Sequence, residues 1–120
     1  MKRPAEALAE SKRYLELEPL SVAANYHLGW NYLYARQYDE ALAQLRKTLE
    51  LDPNFVGTLL YLGWVYEQKG MYAEAIATFQ KSVELSTAPL MLASLGHAYA
   101  IAGRTGEAQK ILLQLQHLFL

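Results

Sequence analysis

Three histidines, His27, His97 and His117, are the side chains of this chain best suited to moving protons or holding metal near neutral pH. Their spacing supports neither role. Neither Glu-x-x-His nor His-x-x-x-His occurs, so the helical arrangement that sets two zinc ligands on one face is missing. Serine and histidine are both present, but no turn places a nucleophile beside a base. The glycines follow a structural period and not a phosphate-cradling pattern. There is no cysteine, which excludes disulfides and thiolate chemistry and fits a cytoplasmic protein. The chain is therefore expected to carry no catalytic residue, no metal and no cofactor, and not to be an enzyme.

What the residues offer is aromatic surface on a repeat. Leu28-Gly29-Trp30 returns as Leu62-Gly63-Trp64, a separation of 63 − 29 = 34 residues. Tyr32, Ala41, Leu45 and Pro53 follow the first copy; Tyr66, Ala75 and Phe79 follow the second at the same offsets. A third copy starts at Leu95-Gly96, with Tyr99, Ala108 and Leu112 after it; one residue has gone from the loop near Ser86–Pro89. A fixed period of this length marks a stacked array. Such arrays present a surface to partners and seldom carry chemistry.

Each unit reads as two helices and a tight turn. Val22 to Arg36 has Leu28, Tyr32 and Ala35 at helical spacing, with Ser21 as its N-cap. Gln37-Tyr38 turns the chain, Asp39-Glu40 places acid in the next first turn, and Ala41, Leu42, Leu45 and Leu49 form a buried stripe. Pro53 stops that helix and Asn54 is expected to cap the next. Phe55 to Lys69 and Ala73 to Leu85 repeat the plan around Gly70. Pro89 to Ala102 and Glu107 to Phe119 do so around Gly103. Ala5-Glu6-Ala7-Leu8 aligns with Asp39-Glu40-Ala41-Leu42, so the chain opens on half a unit. The expectation is about seven helices, one orphan and three hairpins: a half repeat 1–20, then repeats 21–54, 55–87 and 88–120. Gly29, Gly63 and Gly96 fall inside helices, where glycine costs about 1 kcal/mol against alanine. That cost is explained if a neighbouring helix crosses there, with Ala41, Ala75 and Ala108 serving the same close approach.

Composition agrees with one helical domain of 120 residues, 52% apolar. The net charge is −1 with both signs interspersed, which argues against nucleic acid as a partner. No apolar run reaches a membrane span, and no signal peptide opens the chain. The charged residues Glu16, Glu18, Arg46, Lys47, Glu50, Lys81 and Glu84 read as a solvated outer face.

These residues resemble the tetratricopeptide repeat family over nearly the whole chain. The resemblance rests on Leu-Gly, Tyr three residues after Gly, Ala twelve after it, a bulky residue four later (Leu45, Phe79, Leu112), and Pro53 closing the first full unit. The tryptophan common in the family's first helix is replaced by Asn25, Leu59 and Leu92. Thr105 stands where Tyr38 and Tyr72 do, and no proline closes the second unit. The resemblance implies an all-α fold, a right-handed α-solenoid whose first helices line a concave peptide-binding groove. By helical spacing and family geometry, that groove takes Tyr26, Trp30, Leu33 and Tyr34 from the first unit. The second supplies Leu60, Trp64, Glu67 and Gln68, and the third Ala93, His97 and Ile101. His97 is expected as a contact residue there. The family's best-known binders hold a partner's terminal carboxylates with cations. The corresponding places here carry Tyr26, Trp30, Tyr61, Leu90 and Ser94, so an apolar or amphipathic peptide segment suits this groove better.

The ends carry a second expectation. The last helix holds Ile111, Leu112, Leu113, Leu115, Leu118, Phe119 and Leu120, whereas terminal repeats normally need a polar outer face. The segment reads as a piece of a longer array or multidomain protein. Ile111, Leu115, Leu118 and Phe119 are the expected self-association residues of a possible homodimer. The expected function is a non-enzymatic protein-interaction scaffold. The alternatives are a regulatory or sensor segment of a larger bacterial kinase or transcription regulator, and a self-assembly module.

Overall fold

The computed structural model describes residues 3–118, and all regular structure among them is helical. The elements are α1 (Pro4–Leu17), α2 (Val22–Tyr34), α3 (Tyr38–Leu51), α4 (Val56–Gln68), α5 (Tyr72–Leu85), α6 (Pro89–Ile101) and α7 (Thr105–Leu118). Helix starts follow from local chemistry. Pro4 and Pro89 occupy the first turns of α1 and α6, where no backbone donor is needed. Ser21 Oγ accepts from the Ala24 N–H at 3.1 Å and caps α2. The expected cap at Asn54 does not form. Its N–H donates to Asp52 Oδ1 at 3.1 Å, closing the turn around Pro53, and extended Phe55 precedes α4 without a side-chain cap.

Helices α2–α3, α4–α5 and α6–α7 pack as hairpins. The odd-numbered helix ending each unit also packs on the next even-numbered one, and α2, α4 and α6 touch in series. The product is an α-solenoid, 45 × 28 × 24 Å, with α2, α4 and α6 in one row and α1, α3, α5 and α7 in the other. No helix among the described residues is long and apolar enough to cross a membrane.

Glycine sets how close the rows approach. A Cβ on Gly29 would stand 2.6 Å from Leu45 Cδ2, one on Gly96 would stand 2.8 Å from Ile111 Cγ2, and one on Gly63 would penetrate the Phe79 ring. The crossing therefore seats a bulky side chain on each glycine, not the alanine three or four residues earlier. Ala41 and Ala75 are buried beside it. The third hairpin departs from the expected register. Ile111 covers Gly96, while Leu112 is 55% exposed. Helix α7 packs on α6 alone, so a single contact sets its rotation.

The repeated tyrosines lock one unit to the next. Tyr66 Oη accepts from Arg46 Nη2 at 3.0 Å, and Tyr99 Oη accepts from Gln80 Nε2 at 2.8 Å. Asn25, in the place of the family's tryptophan, is fully buried and fully used. Its Nδ2 donates to the Pro19 and Ser21 carbonyls at 3.0 and 2.8 Å, and its Oδ1 accepts from Gln44 Nε2 at 2.7 Å. On the orphan α1, Leu8 is buried, Leu15 half-buried and Leu17 exposed, so only part of its apolar stripe stays uncovered.

Candidate functional site

Helices α2, α4 and α6 contain no lysine or arginine, and Glu67 is their one acid. Aromatic rings fill their shared face instead. From α2, Tyr26, Trp30 and Tyr34 lie at i, i+4 and i+8, one above the other on a helix. Tyr61 of α4 lies across them, with ring centroids 5.5 Å from Tyr26 and 5.8 Å from Trp30. Trp64 stands edge-on to Tyr61 at 5.0 Å, and Tyr34 meets Trp30 at 5.7 Å. Phe55 extends the cluster at 4.9 Å from Tyr26, and His27 flanks Trp30 at 5.6 Å. These tilted and edge-on contacts suit the ring quadrupoles. Burial pushes the Tyr26 and Tyr61 hydroxyls above the usual tyrosine range, so both remain neutral donors.

Of the residues expected here, Trp30, Leu33, Tyr26 and Trp64 are half-buried and Tyr34 is exposed. Leu60 is a correction: it is 6% exposed and belongs to the core, and its neighbour Tyr61 carries the ring that meets α2. A residue step turns a helix by about 100°, and Tyr61, three before Trp64, shares that indole's face. Gly57 shapes the Tyr26 side of this contact. A Cβ there would stand 2.9 Å from the Tyr26 hydroxyl, so glycine lets that ring lie down on α4. An open depression of about 420 Å³ lies beside the cluster, lined by Leu33, Tyr34, Arg36, Tyr38, Trp64 and Gln68.

Glu67 and His97 join α4 to α6. His97 Nδ1 lies 2.9 Å from Glu67 Oε2; the Glu67 side chain is 6% exposed and that of His97 66%. Burial raises the Glu67 pKa, and the hydrogen bond and charge of His97 oppose that rise. At the same edge Gln68 Oε1 accepts from Tyr38 Oη at 3.4 Å, and Lys69 pairs with Asp39. Ala93 and Ile101 are exposed on α6 beyond this pair. Among the described residues no three His, Asp, Glu or Cys side chains gather as a metal site requires.

The structure does not bring Ile111, Leu115 and Leu118 to one open surface. Ile111 is buried over Gly96, Leu115 is half-buried, and Leu118 is exposed. Phe119 lies outside the described residues. Ala93, His97 and Ala100 of α6 face Ala108, Leu112 and Leu115 of α7 across an apolar groove of about 260 Å³. The corresponding clefts between α2 and α3, and between α4 and α5, are each followed by another helix pair.

Residues 26–89 match the family model of the tetratricopeptide repeat. No curated protein matches the chain. Among solved structures, the MamA protein superposes with a TM-score of 0.86 at 24% identity, over 95% of this chain and 63% of that one. MamA AMB-1 gives 0.79 at 25% identity, over 92% and 61%. The MamA RS-1 ArsTM double mutant gives 0.88 at 22% identity, over 96% and 65%. The chain thus spans less than two thirds of each of these three proteins.

Proposed function

Because the chain belongs to the tetratricopeptide repeat family, we propose that it is a non-enzymatic protein-interaction scaffold that binds a partner segment on the face of α2, α4 and α6. The observation that carries this reading is the continuous aromatic cluster of Tyr26, Trp30, Tyr34, Tyr61 and Trp64 on two adjacent helices. Rings with polar tips give large contact area at low entropic cost, and tryptophan and tyrosine dominate interface energetics. Of the half repeat 1–20 and the repeats 21–54, 55–87 and 88–120, the three full repeats each lend one stripe to the surface through α2, α4 and α6. Leu33, Gln68, Ala93, His97 and Ile101 form its margins. The cysteine-free composition fits a cytoplasmic setting for this role.

The test is a pair of substitutions. Trp30→Ala with Trp64→Ala is expected to weaken partner binding, measured by calorimetry, by at least about 2 kcal/mol. The far-ultraviolet helical spectrum should be retained. Wild-type affinity in the double variant would move the binding surface to the odd-numbered helices or the loops. A second reading, self-association, is favoured by exposed Leu112, Leu113 and Leu118 on α7, which packs on α6 alone.

A further inference from the structure

We propose that the aromatic face selects a partner segment carrying an arginine, whose guanidinium lies on the Trp64 ring at the edge of the cluster and pairs with Glu67. This deepens the groove-binding reading and rests on it. Charge distribution is the first argument. All 11 lysines and arginines lie outside α2, α4 and α6, while one of the 12 acids lies within them. The single fixed charge on those three helices is therefore negative.

The placement of that acid is the second argument. The Glu67 side chain is 6% exposed, and among the described residues its one ion-pair partner is the mostly exposed His97 imidazole. A carboxylate so far out of water is unfavourable unless a cation meets it. The fixed cations nearby are not matched to it: Lys69 is held by Asp39, and Arg36 stands on the α2–α3 turn. Glu67 follows Trp64 by three residues, so carboxylate and indole rise from one helix face.

The π faces of tryptophan and tyrosine attract cations, most strongly where water is displaced. A planar guanidinium can stack on a ring and still present an N–H edge to a carboxylate; His97 holds Glu67 Oε2, so a two-bond pair forms only when that exposed imidazole swings aside. An anionic ligand would face Glu67 and the same negative ring faces, so it is disfavoured on both counts.

Both tryptophans sit on the proposed surface, so the chain reports on its own binding by fluorescence. The probes are acetyl-Pro-Leu-Arg-Leu-Pro-amide and its citrulline twin, which keeps the shape and loses the charge. The arginine peptide is expected to bind at least about tenfold tighter. Glu67→Gln should abolish that preference, and His97→Ala, which frees the carboxylate, should enlarge it. Glu74→Gln, on the outer helix α5, should leave it unchanged. Equal binding of the two peptides, a preference that survives Glu67→Gln, or no tryptophan response to either at millimolar concentration would overturn the inference. The double variant Trp30→Ala with Trp64→Ala holds no tryptophan, so its binding is followed by calorimetry. If both peptides bind wild type equally and the double variant binds neither, the groove reading stands and only the arginine selection falls. If the preference survives that double substitution, both readings fall. Circular dichroism on each variant separates lost binding from lost fold.

Discussion

A carboxylate placed like Glu67 works against the fold at neutral pH. Burial raises its pKa, and the His97 contact recovers only part of that rise. A group whose folded pKa lies above its unfolded value contributes stability that is complete below the unfolded pKa. That contribution is lost as pH rises through the folded pKa. Glu67 should therefore be least favourable to stability above the ordinary carboxylate range. Glu67→Gln is expected to melt at the same or a higher temperature than wild type at neutral pH. The two curves should converge at pH values below that range. Melting followed by circular dichroism across the interval checks this. A variant that melts lower at neutral pH would mean that the Glu67–His97 bond outweighs burial, and Glu67 would then be a structural residue. Rule-breaking residues concentrate at functional sites, which is why a stability gain joined to a binding loss would be informative.

At the scale of the element, the three hairpins solve one turn in two ways. Gly70 and Gly103 take φ of 74° and 80°, and Arg36 takes 62° at the equivalent place. The left-handed region costs a residue with a Cβ roughly 1–2 kcal/mol, and glycine nothing. Arg36→Gly is expected to stabilise the chain by about 1 kcal/mol in urea unfolding. Gly63→Ala should do the reverse. Helix propensity would favour it by about 1 kcal/mol, but overpacking costs about 1–3 kcal/mol. Phe79, against which the new methyl would press, is fully buried and has nowhere to move. A melting temperature unchanged in Gly63→Ala would end the packing account of that glycine. The glycine period was legible because each hairpin must make the same crossing, so one constraint appears three times in the residues. Tyr61 and Ile111 were less legible because they depart from that period. Tyr61 has no tyrosine counterpart at residue 27 or 94, and Ile111 reaches Gly96 from a helix whose rotation is set by one neighbour. Asn25 looked like a lost tryptophan. Only the fold shows the carbonyls of Pro19 and Ser21 and the Gln44 amide converging on it.

The molecule as a whole keeps its cations and all but one acid off one row of helices, and among the described residues α7 packs on α6 alone. On α7, Leu112, Leu113 and Leu118 are exposed, and Leu112 lines the apolar groove between α6 and α7. An array buries its apolar faces by stacking, so this surface is what another helical pair would cover. A second copy brings the same surface, and a two-fold arrangement would pair the two surfaces. Covering about 400 Å² of apolar area at ~25 cal/mol/Å² gains on the order of 10 kcal/mol. Lost translational and rotational freedom takes back roughly 4–15 kcal/mol, so the expected dimer is weak and concentration-dependent. A net charge of −1 adds little repulsion. Leu112→Glu with Leu118→Glu replaces two exposed side chains and spares buried Ile111 and half-buried Leu115, so the fold should survive while the dimer does not. Sedimentation velocity over a concentration series should show wild type moving toward dimer and the variant remaining a monomer. A wild type that stays monomeric throughout would sink the self-association reading, and the exposed leucines of α7 would then be a surface for a different helix.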